Sequence, residues 1–494
     1  MKELVELARL PREQWSDHAR VAFSAALQAR FKNVRDLTEK RNDEKRFQLR
    51  VNGQASADSA PYAGLIAPDQ EQSGAYGGMS FVMFPSDEPG RAALIAMGVG
   101  TNGLAPDEVA LGRPGHARKC AAICAWLNKR APGSAWAKRD PVRTDIGLPS
   151  AVHTVLEAWA NARSKYGSVL YAVFAPPPES NADSDALLGD AITAFIDLLF
   201  AERGIDQKRD SAADADRIRR AWMARMLPST TDDDVADLLA RRRFAVIEGP
   251  PGTGKTEMAL RLLNEGYGGR GQLIQFHPGT TYESFIGGLA PRDGGPMGFT
   301  FQPTAGHLMR AAQEAAALTP DPYLLVIDEI NRADLAKVLG EAIYLLEPAR
   351  QQRAVRLAYP FEGLAADRSF SLPANLHVLG TMNSADRSIA ILDVAVRRRF
   401  AFVSLWPQLE VVQAQNEPTL TKAFQDLLTL FIEYAPDDVL ALAPGHAYFL
   451  SQGAAPSVRL NTAVRPLLEE YLAQGYVSGF ADEIRAYLDR ITQA

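Results

Sequence analysis

The chain has 494 residues, 47% hydrophobic and 23% charged, with a formal net charge of −6; this is an ordinary globular composition in a chain too long for one core, so two to four domains are expected. No apolar run approaches the ~18 residues of a membrane-spanning helix, and two cysteines are too few for a disulfide scaffold. Residues 1–150 hold 21 Lys+Arg against 17 Asp+Glu, a mildly basic balance that suits nucleic acid or an ordinary solvated surface equally well.

The start, MKELVELARLPREQWSDHAR, reads as an amphipathic charged helix without the apolar stretch of a signal peptide, so a cytoplasmic location is expected. Loop punctuation falls at 53–61, 131–149 and 175–184. Between these, 78–85 (GMSFVMFP), 92–99 (AALIAMGV) and 168–174 (SVLYAVF) read as strands, and 115–128 and 186–203 as helices. Cys120 and Cys124 share one face of the first of these helices and read as small buried residues rather than metal ligands. The seven histidines show no metal-ligand spacing. Residues 1–205 are therefore expected to form a separate α+β N-terminal domain, followed by a linker at 206–231 whose charged stretch 206–217 reads as a hydrophilic helix or linker.

From residue 232 strands and helices alternate. FAVIE, LIQF (273–276), YLLVI (323–327) and LHVLG (376–380) read as strands, with helical patterns at 304–318, 335–347 and 389–396 between and after them. Such alternation predicts a parallel sheet covered by helices, an α/β core over 232–405. Beyond it the strand signal stops, and 408–434 and 460–494 read as helices, an α-helical lid over 406–494.

Three motifs carry chemistry. GPPGTGKT, residues 249–256, lies between a strand and a helix and is a P-loop in its required context. Gly249, Pro250, Pro251, Gly252, Thr253 and Gly254 form the loop, whose glycines would let backbone N–H groups turn inward around phosphates at a helix N-terminus. Lys255 would reach the β and γ phosphates, and the Thr256 hydroxyl would ligate Mg²⁺. LLVIDE, residues 324–329, ends an apolar strand in two carboxylates: Asp328 is placed to hold Mg²⁺ and Glu329 to polarise an attacking water. GTMNSADRSIAILDVAVRRRF, residues 380–400, puts Asn383 at a strand end, where it can contact that water or the γ-phosphate. One helical stretch later come Arg397, Arg398 and Arg399, too far along to serve the same nucleotide easily. They suit a finger offered to a neighbouring subunit's phosphate, although one of them bridging a carboxylate is also expected.

These motifs resemble those of AAA+ P-loop nucleoside triphosphatases, and four stretches resemble the McrB-type branch, the motor subunits of modification-dependent restriction systems. They are IDEINRADLAKVLGEAIYLLE (327–347), the 380–400 segment with Asn383, Asp386 and Arg387 in the expected places, QFHPGTTYESFIGGLAPR (275–292), and PGHAYFL with VRPLLEEYL (444–450, 464–472). Together they span about half of the chain. The resemblance implies a ring, commonly hexameric, with nucleotide at subunit interfaces and Arg398 and Arg399 at the finger positions. It implies Mg²⁺, GTP or ATP as substrate with GTP favoured, a McrC-like nuclease partner, and DNA recognition through residues 1–205. A MoxR-like ATP-dependent protein-remodelling ATPase is the alternative with the same core. The lid shows no clear second-sensor arginine near 444–450, where His446 reads as a packed turn histidine. Tyr62, Tyr76, Phe81 and Phe84 could stack on a flipped base, but their placement in strands suits a core better.

Overall fold

A computed structural model describes residues 1–32, 34, 47–54, 59–66, 78–100, 110–293, 298–347, 353–364, 366–385 and 394–492. The chain divides into two compact units, one of Met1–Leu227 with Ile432–Tyr434 and one of Pro228–Phe431 with Ala435–Ala494. Among the described residues no helix is long and apolar enough to cross a membrane.

The first unit is built on a sheet of six strands: β1 (Gln48–Asn52), β2 (Tyr62–Ile66), β3 (Met79–Phe84), β4 (Leu94–Val99), β5 (Ala135–Ala137) and β6 (Leu170–Phe174). Their order is β1-β2-β3-β4-β6-β5, with every pair antiparallel. Alternation along β3 divides the core. Met79, Phe81 and Met83 face one apolar cluster with helices Trp15–Arg30, Pro114–Arg130 and Ala182–Ala201, while Val82 and Phe84 face another with Leu156, Trp159 and Ala162. Both faces are covered, so the strands read as unbroken apolar runs rather than alternating ones. Helix Ala182–Ala201 starts at a capping box between Asn181 and Ser184, which satisfies N-terminal N–H groups of the helix. Phe81 and Phe84 are core residues, buried on opposite faces. Tyr62 packs beside Phe84 and Tyr166, with ring centroids 6.3 and 6.1 Å away. Tyr76 lies outside the described residues. Cys120 and Cys124 are free thiols buried in the first cluster.

The 206–231 segment is not an extended linker. It contains helix Arg209–Met223, whose Ile218 and Trp222 are buried in the first unit's core. Its charge hides a narrow apolar stripe: Ala215, Ile218 and Trp222 sit three and four residues apart on one face.

The second unit holds β7 (Phe244–Gly249), β8 (Gly271–Gln275), β9 (Gly287–Asp293), β10 (Phe299–Ala305), β11 (Tyr323–Asp328), β12 (Ala354–Arg356), β13 (Ser369–Ser371), β14 (Leu376–Asn383) and β15 (Ala401–Ser404). Five of them form a parallel sheet in the order β15-β7-β14-β11-β8. Apolar side chains alternate between two cores, Leu325 and Ile327 to one face and Leu324 and Val326 to the other. This is a P-loop α/β core, as expected. Two short antiparallel pairs, β9 with β10 and β12 with β13, are additions that the alternation did not reveal. The helix expected over 304–318 accordingly begins only at His307, because the alternating FTFQPTA pairs with β9 first. β15 was also unmarked; its four residues are all half-buried at the sheet edge. From Leu409 to Thr492 the described residues form helices and turns, the longest being Pro418–Tyr434, Ala481–Thr492 and Arg465–Ala473. Phe424 packs on Phe449, and Phe431 on Phe480, in this helical segment.

Candidate functional site at the strand ends

In a parallel sheet all strands end on the same side, and loops leaving those ends converge. Here β7, β11 and β14 are adjacent, and their carboxyl ends carry the three motifs. Register does the placing. Asn383 pairs with Gly249, where the P-loop leaves β7. Ile327 pairs with Gly380, so Thr381 comes beside Asp328.

The P-loop turns through two left-handed glycines, Gly252 (φ 76°) and Gly254 (φ 81°), before helix Lys255–Arg261. Gly249 is required for space: a Cβ there would lie 2.2 Å from the carbonyl oxygen of Leu405. Thr253 and Lys255 are both buried. Thr253 Oγ1 donates to the Pro250 carbonyl (3.0 Å), and Lys255 Nζ donates to the carbonyls of Gly249 (3.1 Å) and Pro250 (2.7 Å). Burial brings the Lys255 ammonium pKa down to about 8, with Glu329 and Asp328 opposing the shift.

A continuous chain of hydrogen bonds links the motifs. Thr256 Oγ1 donates to Asp328 Oδ1 at 2.8 Å. Thr381 Oγ1 donates to the same oxygen at 2.6 Å and accepts from the Glu329 backbone N–H at 3.1 Å. Asn383 Nδ2 donates to Glu329 Oε1 at 2.6 Å, and Arg332 Nε lies 3.5 Å from Glu329 Oε2. Glu329 itself is left-handed (φ 52°, ψ 48°), a conformation that costs a non-glycine residue about 1–2 kcal/mol and aims its side chain away from the strand direction. Thr381 was not singled out from sequence, because a threonine inside GTMN has no pattern of its own. The signal that could have found it is the position next to the glycine that lets β14 approach Ile330: a Cβ on Gly380 would fall 2.9 Å from Ile330 Cδ1.

The donor set at this point suits Mg²⁺. One carboxylate and two hydroxyls are hard oxygen ligands, and Mg²⁺ characteristically takes one or two carboxylates together with substrate phosphates and water. No group of three or more His, Cys, Asp or Glu side chains able to hold a metal occurs among the described residues, so no all-protein cage competes with this arrangement.

The three consecutive arginines have different surroundings. Arg397 pairs with Glu248 (3.2 Å) and stacks over Phe402 at 4.7 Å. Arg399 is buried, 7% exposed, and its Nη2 lies 3.5 Å from Glu347 Oε2. That is an ion pair within the chain, with a carboxylate that also pairs with Arg353 at 3.6 Å, the kind of bridge expected of one of the three. Arg398 is exposed and makes no side-chain hydrogen bond or ion pair among the described residues. Asp386 and Arg387 lie outside the described residues. His446 is buried, as expected of a packed turn residue; its Nδ1 accepts the Gln408 backbone N–H at 3.3 Å, and burial lowers its pKa.

Residues 245–400 match the family model described as the AAA domain of the dynein-related subfamily. The EcoKMcrB subunit of the type IV methyl-directed restriction enzyme of Escherichia coli (strain K12) is 33% identical over 269 residues, 50% of this chain and 57% of that protein. The chain thus carries an AAA domain and is similar to a McrB subunit over half of its length. The YdiS component of the type II restriction enzyme BsuMI of Bacillus subtilis (strain 168) is 28% identical over 243 residues, 40% of this chain and 71% of that protein. The match with the E. coli relative spans little more than half of that protein's length. Among solved structures, one titled a putative ATPase from Cytophaga hutchinsonii overlaps 53% of the chain and 81% of its own, at 14% identity and a TM-score of 0.24.

Proposed function

We propose that the chain is a Mg²⁺-dependent nucleoside triphosphatase, GTP favoured over ATP, that works as a ring motor in anti-phage restriction. The observation that carries the enzymatic part is the hydrogen-bonded chain Thr256–Asp328–Thr381–Glu329–Asn383 at the mouth of a P-loop. The backbone N–H groups of Gly252 to Thr256 and the Lys255 ammonium bind the phosphates. Thr256 and Asp328 hold Mg²⁺, which supplies charge neutralisation at the transferred phosphate when bound. Glu329 takes the proton of the attacking water. Asn383 holds the Glu329 carboxylate at 2.6 Å, which fixes the direction of its free lone pairs. Arg398, exposed and unpaired among the described residues, is the finger for a neighbouring subunit's nucleotide. Asp386 and Arg387 complete the signature segment.

The restriction role rests on the relatives, both named as parts of restriction enzymes. In this reading the helical segment from Leu409 is the lid, the first unit recognises DNA, and a McrC-like nuclease subunit makes the cut. The test is steady-state hydrolysis of GTP and ATP side by side, with Glu329→Gln as blank. Lys255→Ala is expected to lose nucleotide binding and assembly; Glu329→Gln is expected to bind, assemble and not hydrolyse. Wild-type hydrolysis by Glu329→Gln would remove the assigned base. A clear ATP preference with stimulation by a protein client would move the chain to the remodelling reading.

A further inference from the structure

The turn Gly445–Tyr448 lies against the outside of the P-loop, backbone to backbone. Gly445 N–H donates to the Pro251 carbonyl and Ala447 N–H to the Gly252 carbonyl, both at 2.9 Å. The approach is close enough that a Cβ on Gly445 would fall 2.1 Å from the Gly252 carbonyl carbon and oxygen. A Cβ on Gly252 would in turn meet the Tyr448 ring at 2.7 Å. The turn is itself held from behind: Arg459 Nη2 donates to the Ala447 carbonyl (2.6 Å) and Nε to the Tyr448 carbonyl (2.9 Å).

A trans peptide is planar, with its C=O and the following N–H pointing in opposite directions. Fixing the Pro251 and Gly252 carbonyls outward, onto the turn, therefore turns the N–H groups of Gly252 and Thr253 the other way. Because both flanking glycines of this stretch are left-handed and glycine is the most permissive residue, these peptide planes would otherwise reorient easily. We propose that the Gly445–Tyr448 turn, locked by Arg459, is a positioning element that aims the P-loop N–H groups at the phosphates, so that the C-terminal helical segment sets nucleotide affinity. The proposal rests on the reading of this loop as a phosphate site.

The test uses the full chain and measures KM and kcat for GTP and for ATP in wild type, Arg459→Ala, Arg459→Lys, Gly445→Ala and Lys255→Ala, with a thermal melt for each. Arg459→Ala and Gly445→Ala are expected to raise KM about tenfold while kcat at saturation stays within about twofold, the loss of an interaction that acts on binding. Arg459→Lys, able to reach one carbonyl at a time, is expected between Ala and wild type. Unchanged KM in both variants, or a fall in kcat with KM unchanged, overturns the inference and leaves the phosphate site standing, provided that Lys255→Ala has lost activity. Wild-type activity in Lys255→Ala removes the phosphate site and the inference with it. Should a variant fail to fold, amide hydrogen exchange of the wild-type chain decides. Exchange at Gly445 and Ala447 is expected to slow when a non-hydrolysable GTP or ATP analogue saturates the site; an unchanged rate overturns the proposal.

Discussion

Thr381→Val is the substitution that most directly probes how the site is held together. Valine matches threonine in shape and removes one hydroxyl. That hydroxyl is buried with its residue 2% exposed, donates to the Asp328 carboxylate and accepts from the Glu329 N–H. A hydrogen bond to a charged group contributes about 1.5–3 kcal/mol and a neutral one about 1 kcal/mol, and a buried partner left unsatisfied incurs its desolvation penalty. The stability loss is therefore about 2–4 kcal/mol. Glu329 sits in a left-handed conformation and loses a bond that holds it there. If about half of the loss is felt in the transition state, at about 1.4 kcal/mol per factor of ten, hydrolysis falls about 5- to 30-fold. The assay is kcat at saturating nucleotide together with a thermal melt, and Thr381→Ser, which keeps the hydroxyl, is the control. A Thr381→Val chain with wild-type kcat and an unshifted melt would refute the bridging role.

Three further outcomes are expected. The Lys255 pKa of about 8 lies below its unfolded value because burial disfavours the charge, so the burial penalty applies below pH 8 and is relieved as pH rises above it, stabilising the fold there. Phosphate binding should restore the charge. Calorimetric titration near pH 8.5 in buffers of different ionisation enthalpy is then expected to show proton uptake in wild type and none in Lys255→Arg; a buffer-independent enthalpy in wild type would contradict the lowered pKa. Arg398→Ala is expected to leave the melt unchanged and to lower hydrolysis by the assembled protein about 10³-fold, whereas Arg399→Ala is expected to lower the melt by removing a buried side chain, Glu347 keeping its pairing with Arg353. Equal melts for the two variants would show that Arg399 is not structural. A fragment ending at Leu227 is expected to unfold cooperatively and one ending at 205 to unfold at markedly lower temperature, because the shorter one lacks the buried Ile218 and Trp222; identical melts would restore the linker reading.

The sequence by itself determined the phosphate chemistry and the strands that carry it. GPPGTGKT and LLVIDE are local patterns whose backbone conformation and strand-end position follow from glycine, from the helix start and from apolar runs, so they are readable without any long-range contact. The short strands β5, β9, β10, β12, β13 and β15 were not legible, since each is only three to seven residues long and owes its state to a partner strand. Helix Arg209–Met223 was legible only as a hydrophilic helix or linker because its charge dominates its composition, while the three residues that bury it need a core to be recognised against. Tertiary structure alone decided which of three identical side chains in RRR faces inward. Nothing in the local sequence distinguishes Arg398 from Arg399; the distinction comes from Glu347, which the fold brings within 3.5 Å of Arg399. The same holds for Thr381, whose role exists only because parallel register sets it beside Asp328, and for Gly445, a turn glycine in sequence and a close backbone contact of the P-loop in space.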